Sequence, residues 1–353
     1  MKTLFMGNAA RLFLCTLSFL SASAHSPSAD EGKPPLILER ADYIRQRLED
    51  GKTVVILEGD VRWVRGESRL RCGWAKYFEA DGLLYLARDV HLFDDDRSLR
   101  ADSVRYRRED GHAVAQGHVH LELDGGDVTV SSDSMAYQAA DKEAWALKRP
   151  RLDLRSRPSG EESEDIMIWG DRLHMREGEY IAVSGMVDIS GDSLVGRSDS
   201  LYYDLLAEEV SLVGGPWIEA GSYRVEGRRI VLRVPDRVLR KGISQGDARG
   251  EERQDAGVSQ EAGFVEEPIS WVEADTITLT FRQERIDSLL AYPGARSFFR
   301  EDREGGREEN YAVGEAILLV WKDGQVDQVR VSGKGEGVYR KRDSGEEQVW
   351  KSP

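Results

Sequence analysis

Gly59-Asp60-Val61, Arg88-Asp89-Val90 and Gly117-His118-Val119 state one phrase three times, about every 30 residues. The phrase reads as the end of a strand. A second phrase keeps step with it: Trp74-Ala75-Lys76-Tyr77, Asp102-Ser103-Val104-Arg105-Tyr106 and Asp133-Ser134-Met135-Ala136-Tyr137. A repeat of this length describes units that cannot bury an apolar face alone and must stack on their neighbours. Around the phrases the period is two. Val61 and Trp63 alternate with Arg62 and Val64, and Val119, Leu121 and Leu123 alternate with His120 and Glu122. Leu84 and Leu86, Val90 and Leu92, and Val128 and Val130 continue it. Each strand therefore has a dry side and a wet side.

Working outward, Ile166 to Trp169, Ile181, Val183, Val187, Ile189 and Asp199-Ser200-Leu201-Tyr202-Tyr203 restate the pattern. Val210, Leu212, Ile230, Leu232 and Val234 follow it. Towards the C-terminus two copies of strand, charged turn, strand and glycine-marked bend appear. One runs from Ala274 to Ser297, the other from Ala316 to Gly335. The expected class is all-β: an elongated twisted β-jellyroll or stacked β-solenoid, with a second jellyroll-like C-terminal segment. The expected division is a signal peptide over 1–24, a polar tether over 25–37 and β repeats over 38–240. A flexible linker follows over 241–268, then C-terminal β repeats over 269–341 and a charged, fraying tail over 342–353. Ala41 to Leu48 has the composition of a short helix, after which Val54, Val55, Ile56 and Leu57 restore strand character.

The signal-peptide reading rests on Lys2 and Arg11, the apolar run Leu12 to Leu20 and the small residues Ala22-Ser23-Ala24. Removal of residues 1–24 takes Cys15 with it and leaves Cys72, so no internal disulfide forms. The expected location is the periplasm. The formal net charge of -15 argues against nucleic acid as the main partner.

The chain carries no HExxH motif, phosphate loop or spaced cysteine cluster. No catalytic residue, cofactor or metal is expected. His118 and His120 stand two apart and would face the same way in a strand, but no third ligand accompanies them. Asp94-Asp95-Asp96 reads as an exposed turn, because consecutive carboxylates lack the spacing of a calcium loop.

Together the phrases resemble the OstA-like, LptA-like family of lipopolysaccharide-export β-jellyrolls. The likeness lies in Gly59-Asp60-Val61, Ala101 to Tyr106, Gly117-His118-Val119 and Ser132 to Tyr137. It extends from about Leu36 to Val234 and more weakly from Ile269 to Tyr339. The resemblance implies a jellyroll whose interior carries the acyl chains of lipopolysaccharide across the periplasm. It implies docking, end to end or edge to edge, with related jellyroll domains of the inner- and outer-membrane export machinery. The chain departs from the family's short bridge protein in its length and in the Lys241 to Pro268 interruption. It shows neither the C-terminal barrel nor the N-terminal membrane helix of other members.

On that implication the candidate lipid lining is Val61, Trp63, Leu84, Leu86, Val90, Leu92, Val119, Leu121, Val128 and Val130. The candidate head-group contacts are Arg62, Arg69 and Arg71. Docking is expected through the rungs around Val54 to Trp63 and through the C-terminal rungs, with self-association by the same edges as the competing outcome. Two other readings stay open. One is a non-enzymatic envelope assembly scaffold with a solid interior. The other is a β-helix polysaccharide-active enzyme, which would need clustered carboxylates along an exposed groove.

Overall fold

The computed structural model describes residues 37–155, 165–192, 194–252, 270–282, 285–303, 306–322, 325–341 and 346–351. The signal peptide, nearly all of the tether and residues 253–268 of the expected linker lie outside the described residues. Nearly everything described is strand, in antiparallel pairs. Two compact units emerge. The first holds the described residues through Arg155 together with Met167–Gly185, and the second Asp165, Ile166 and those from Met186 onward.

In the first unit the strands are β1 (Ile37–Arg40), β2 (Tyr43–Glu49), β3 (Lys52–Arg65), β4 (Ser68–Phe78), β5 (Leu83–Phe93) and β6 (Ser98–Arg107). Then come β7 (His112–Leu123), β8 (Val128–Gln138), β9 (Glu143–Leu147), β10 (Arg151–Leu154), β11 (Ile166–Trp169) and β12 (Arg172–Arg176). β13 (Tyr180–Ser190) crosses from one unit to the next. Each of β3 to β8 pairs with the strand that follows it.

The Gly59-Asp60 phrase does not end its strand; it bends it. Gly59 and Asp60 have φ of +77° and +42°, Arg88 and Asp89 +67° and +57°, and Gly117 and His118 +74° and +45°. Two successive left-handed residues insert length that the partner strand does not match, which is a bulge. The register accordingly jumps from Glu58↔Trp74 to Val61↔Cys72. Each long strand becomes two halves joined at a corner.

The second phrase repeats in step because it touches the first. A Cβ built on Gly117 would overlap the Asp102 side chain, and the same holds for Gly59 with Asp42 and Gly185 with Asp171. The backbone N–H of Asp171 donates to the Gly185 carbonyl at 3.0 Å, and that of Asp42 to the Gly59 carbonyl at 3.0 Å. Glycine supplies both the dihedral and the room.

Inward residues then stand opposite one another from strand to strand. Trp63, Leu70, Leu92, Leu99, Leu121, Val130 and Leu152 form one such row on one side of the corners. Leu57, Ala75, Leu86, Val104, Ala115, Met135 and Ala146 form another on the other side.

The second unit repeats this plan with β14 (Leu194–Asp204), β15 (Glu209–Val213), β16 (Trp217–Ala220), β17 (Tyr223–Glu226), β18 (Arg229–Arg233), β19 (Lys241–Glu252) and β20 (Ser270–Arg282). It continues through β21 (Arg285–Tyr292), β22 (Ala295–Arg303), β23 (Gly306–Gly314), β24 (Ala316–Lys322), β25 (Gln325–Ser332), β26 (Glu336–Lys341) and β27 (Glu346–Lys351). Its core includes Leu212, Ile230, Ile277, Leu289, Ile317 and Leu319, all buried.

Three expectations are corrected. Ala41 to Leu48 is no helix: Tyr43–Glu49 pairs residue for residue with β3 across an Asp50-Gly51 turn, both at positive φ, the hairpin geometry that strand twist favours. Residues 241–252 are not linker. They form β19, which pairs with β17, β18 and β20 and buries Gly242, Ser244, Ala248 and Gly250 at alternate positions either side of its bulge despite a polar composition. Within the charged tail, Glu346–Lys351 is strand paired to β26.

Candidate lipid-binding interior

All but one of the expected lining residues are buried on the inward side. Val61, Val90 and Val130 are 0% exposed, Leu86 and Val119 1%, and Val128, the most open of the nine, 7%. Leu84, Leu92 and Leu121 are buried with them, while Trp63 is half-buried. Val61, Val90 and Val119 each follow a corner. Trp63, Leu92, Leu121 and Val130 share one row, and Leu86 lies in the row on the other side of the corners. Protein atoms already cover these side chains, so an acyl chain would have to displace side-chain contacts to reach them. About 200 Å² of buried acyl surface at ~25 cal/mol per Å² gives about 5 kcal/mol towards that exchange.

The strand ends opposite the corners form two lips. One carries the turns after β3, β5 and β7, the other the turns after β4, β6 and β12. An ion pair joins them: Arg97, after β5, approaches Glu177, after β12, to 3.4 Å, with side chains 8% and 15% exposed. Tyr137, from the inward face of β8, lies in their field. Burial pushes its hydroxyl pKa up, Glu177 raises it further and Arg97 opposes. Asp94 in the same turn is also pushed up by burial, against the pull of backbone hydrogen bonds and Arg97. Neither Arg97 nor Glu177 is visible as a site residue in the sequence, since only the folded lips bring them together.

Arg62, Arg69 and Arg71 are on the outward face. Arg62 donates to Asp60 from Nε at 2.8 Å and from Nη2 at 2.7 Å, which holds the Asp60 carboxyl below its usual range. Arg71 is opposite Arg62 in register and lies 5.7 Å over the Phe93 ring. Arg69 is exposed beside the β3–β4 turn and is the one of the three at a lip. The pairing extends their row into a basic ladder, Arg40, Arg62, Arg71, His91, Arg100 and His120, one per strand. Burial lowers the His91 pKa, and Arg100 and Arg71 lower it further against Asp89.

His118 and His120 are separated by the bulge. His118 Nδ1 faces Asp102 Oδ2 at 3.0 Å with its ring 92% exposed, and His120 Nδ1 faces Ser131 Oγ at 3.0 Å. No group of three or more potential metal ligands occurs among the described residues. The Val54–Trp63 rung, expected to dock, is paired on both sides, to β1 and β2 and to β4. Among the described residues β1 and β2 each pair with β3 alone and form one outer edge, where Tyr43, Ile44 and Leu48 of β2 are 64%, 60% and 74% exposed; towards the C-terminus β25 and β27 likewise pair only with β24 and β26.

Residues 98–236, from β6 to just past β18, match the family model described as LptA/(LptD N-terminal domain) LPS transport protein. Over this stretch the chain is similar to the OstA-like lipopolysaccharide-transport family. The OstA-like stretch includes four of the candidate lining residues: Val119, Leu121, Val128 and Val130. The crystal structure of LptH, the LptA-homologous periplasmic component of the lipopolysaccharide transport device of Pseudomonas aeruginosa, is similar at 12% identity and TM-score 0.24. The alignment covers 47% of this chain and 89% of LptH. No curated protein matches the chain.

Proposed function

We propose that this protein binds lipopolysaccharide in the periplasm and passes it towards the outer membrane, as a bridge or a chaperone. The observation that carries the reading is the family match over residues 98–236, which falls on strands whose inward rows are continuous and apolar. Acyl chains enter between the lips, where Arg97 and Glu177 meet, and lie along the rows of Leu86 and Leu121. Arg69, exposed at a lip, meets the phosphorylated head group, which stays in water. The partners are related jellyroll domains of the export machinery, and the docking edge is β2, whose free backbone groups and exposed apolar side chains invite another strand. No catalytic step is assigned.

The near-complete burial of the lining favours a second reading, an assembly scaffold with a filled core. Photocrosslinkers at positions 86 and 121 in cells separate the two. Lipopolysaccharide adducts there, and not at the outward positions 120 and 122, support transport. Adducts confined to 120 and 122, or absent, favour the scaffold.

A further inference from the structure

Lys148 and Arg149 occupy a corner whose backbone suits glycine. They join β9 to β10 with φ of +66° and +59°, and Pro150 follows them. The second unit makes the same turn between β15 and β16 with Gly214 and Gly215, at +84° and +62°, followed by Pro216. A left-handed conformation costs a non-glycine residue about 1–2 kcal/mol. Such strain gathers where a side chain is needed for something other than folding. Both side chains are exposed, and neither has a carboxylate partner among the described residues.

Beside them is an open basin of about 410 Å³. Lys148, Arg149, Arg151, His118, His120 and Trp169 line it, with hydroxyls from Ser131 and Ser132 and a carboxylate from Asp133. The Arg151 guanidinium stands 5.9 Å over the Trp169 ring. Its charge is met by Asp153 at 2.6 Å, so the unpaired cations are Lys148 and Arg149. The basin also terminates the basic ladder: His120 is opposite Ser131, and Ser131 opposite Arg151. Two free cations suit a phosphate, hydroxyl and imidazole groups suit sugar hydroxyls, and the indole offers an apolar face to a pyranose ring. The net charge of -15 makes a local excess of positive charge harder to ascribe to composition alone.

We propose that this corner is a binding site for a phosphorylated sugar. It lies on the outward side at the corners, across the sheet from the lips. It therefore does not hold the head group of a lipid whose acyl chains enter there, and it stands or falls independently of the interior route. The ligand is either a free sugar phosphate or the phosphorylated glycan of a second glycolipid molecule.

Calorimetric titration of the full chain with glucosamine 1-phosphate tests the site, with glucosamine and inorganic phosphate as controls. The key variant is K148G/R149G, which copies the Gly214-Gly215 turn. It should fold with an unchanged or higher melting temperature yet lose about tenfold or more in affinity, the scale of one lost charged hydrogen bond. Glucosamine should not bind, and phosphate should bind more weakly than the sugar phosphate. A deacylated phosphorylated oligosaccharide prepared from lipopolysaccharide names the source: tighter binding than glucosamine 1-phosphate points to a glycan, weaker binding to the free sugar. Absent binding, equal affinity in K148G/R149G, or phosphate matching the sugar phosphate overturns the proposal.

Discussion

The Arg97 guanidinium lies 3.4 Å from the Glu177 carboxylate, across 80 residues of chain and across the gap between the two lips of the first unit. The pair is partly buried, its side chains largely shielded from water, so its parts are worth most together. Removing one partner from a buried pair strands the other charge and typically costs about 3–5 kcal/mol, whereas replacing both with apolar groups is often neutral. E177Q is expected to lower the free energy of urea unfolding by about 3 kcal/mol, and R97M/E177M to recover most of it. If the pair also closes the interior, E177Q will take up a fluorescent acyl probe faster than wild type. Unchanged stability and unchanged uptake together would remove the latch from the mechanism.

Gly117 sets a second expectation. An alanine there must adopt φ near +74° and also displace the Asp102 side chain. The dihedral alone costs about 1–2 kcal/mol, so G117A should destabilise by on the order of 3 kcal/mol. D102A in the same chain removes the two nearest atoms but keeps the Asp102 Cβ, 2.8 Å from the new Cβ, and does not relieve the dihedral, so the double variant should regain part of the loss. A double-mutant cycle by thermal unfolding measures the coupling, and strict additivity would deny that the two phrases touch.

Alkaline pH should weaken the fold. Burial pushes the Cys72 thiol up to about 12, and burial likewise raises Tyr106, Tyr137, Tyr203 and Tyr223. For groups raised in the folded state, the stabilisation is complete below the unfolded pKa and lost as pH climbs to the folded one. The unfolded values are near 8.5 for cysteine and 10 for tyrosine. Urea midpoints should hold from pH 7 to about 8 and fall from about pH 9, by up to ~1.4 kcal/mol per pH unit for each group. C72A should flatten the first part of that decline. In a chain lacking residues 1–24, native Cys72 should resist thiol reagents until urea unfolds it, and rapid labelling of native protein would contradict its burial.

Exposed apolar groups on β2 make an edge test. Ile44 and Leu48 are 60% and 74% exposed, so I44K/L48K should change stability by no more than about 0.5 kcal/mol. Lysine on an edge opposes strand addition. Sedimentation should therefore show weaker association than wild type, with itself or with a jellyroll partner. Unaltered association would move the docking surface elsewhere.

The all-β class and the inward rows were legible because side-chain alternation reports strand facing directly. Leu84, Leu86, Leu121 and Val130 could be assigned to the dry side from spacing alone. The corners are visible in the sequence but look like strand ends there. Gly59-Asp60-Val61 resembles a strand end, because glycine usually interrupts a ladder, and only the pairing with the same strand on both sides, with the register shifted by one residue, reveals a bend. β19 was hidden for another reason. Its Ser244, Gly246, Asp247 and Gly250 have little strand propensity, and neighbours on both sides hold it in place. Lys148 and Arg149 carry no signal of their own, although the counterpart Gly214-Gly215 is present in the sequence. Charged residues at a turn read as ordinary until the left-handed backbone shows what glycine would have made easier.

The corner motif also fixes how such a molecule can grow. Every repeat adds two strands and one bend, and hydrogen-bonded strands sit ~4.8 Å apart, so a duplicated repeat lengthens the array by about 10 Å without disturbing its neighbours. Reach is thus adjustable in discrete steps, and a gap of altered width between two anchoring points can be matched by gaining or losing whole repeats.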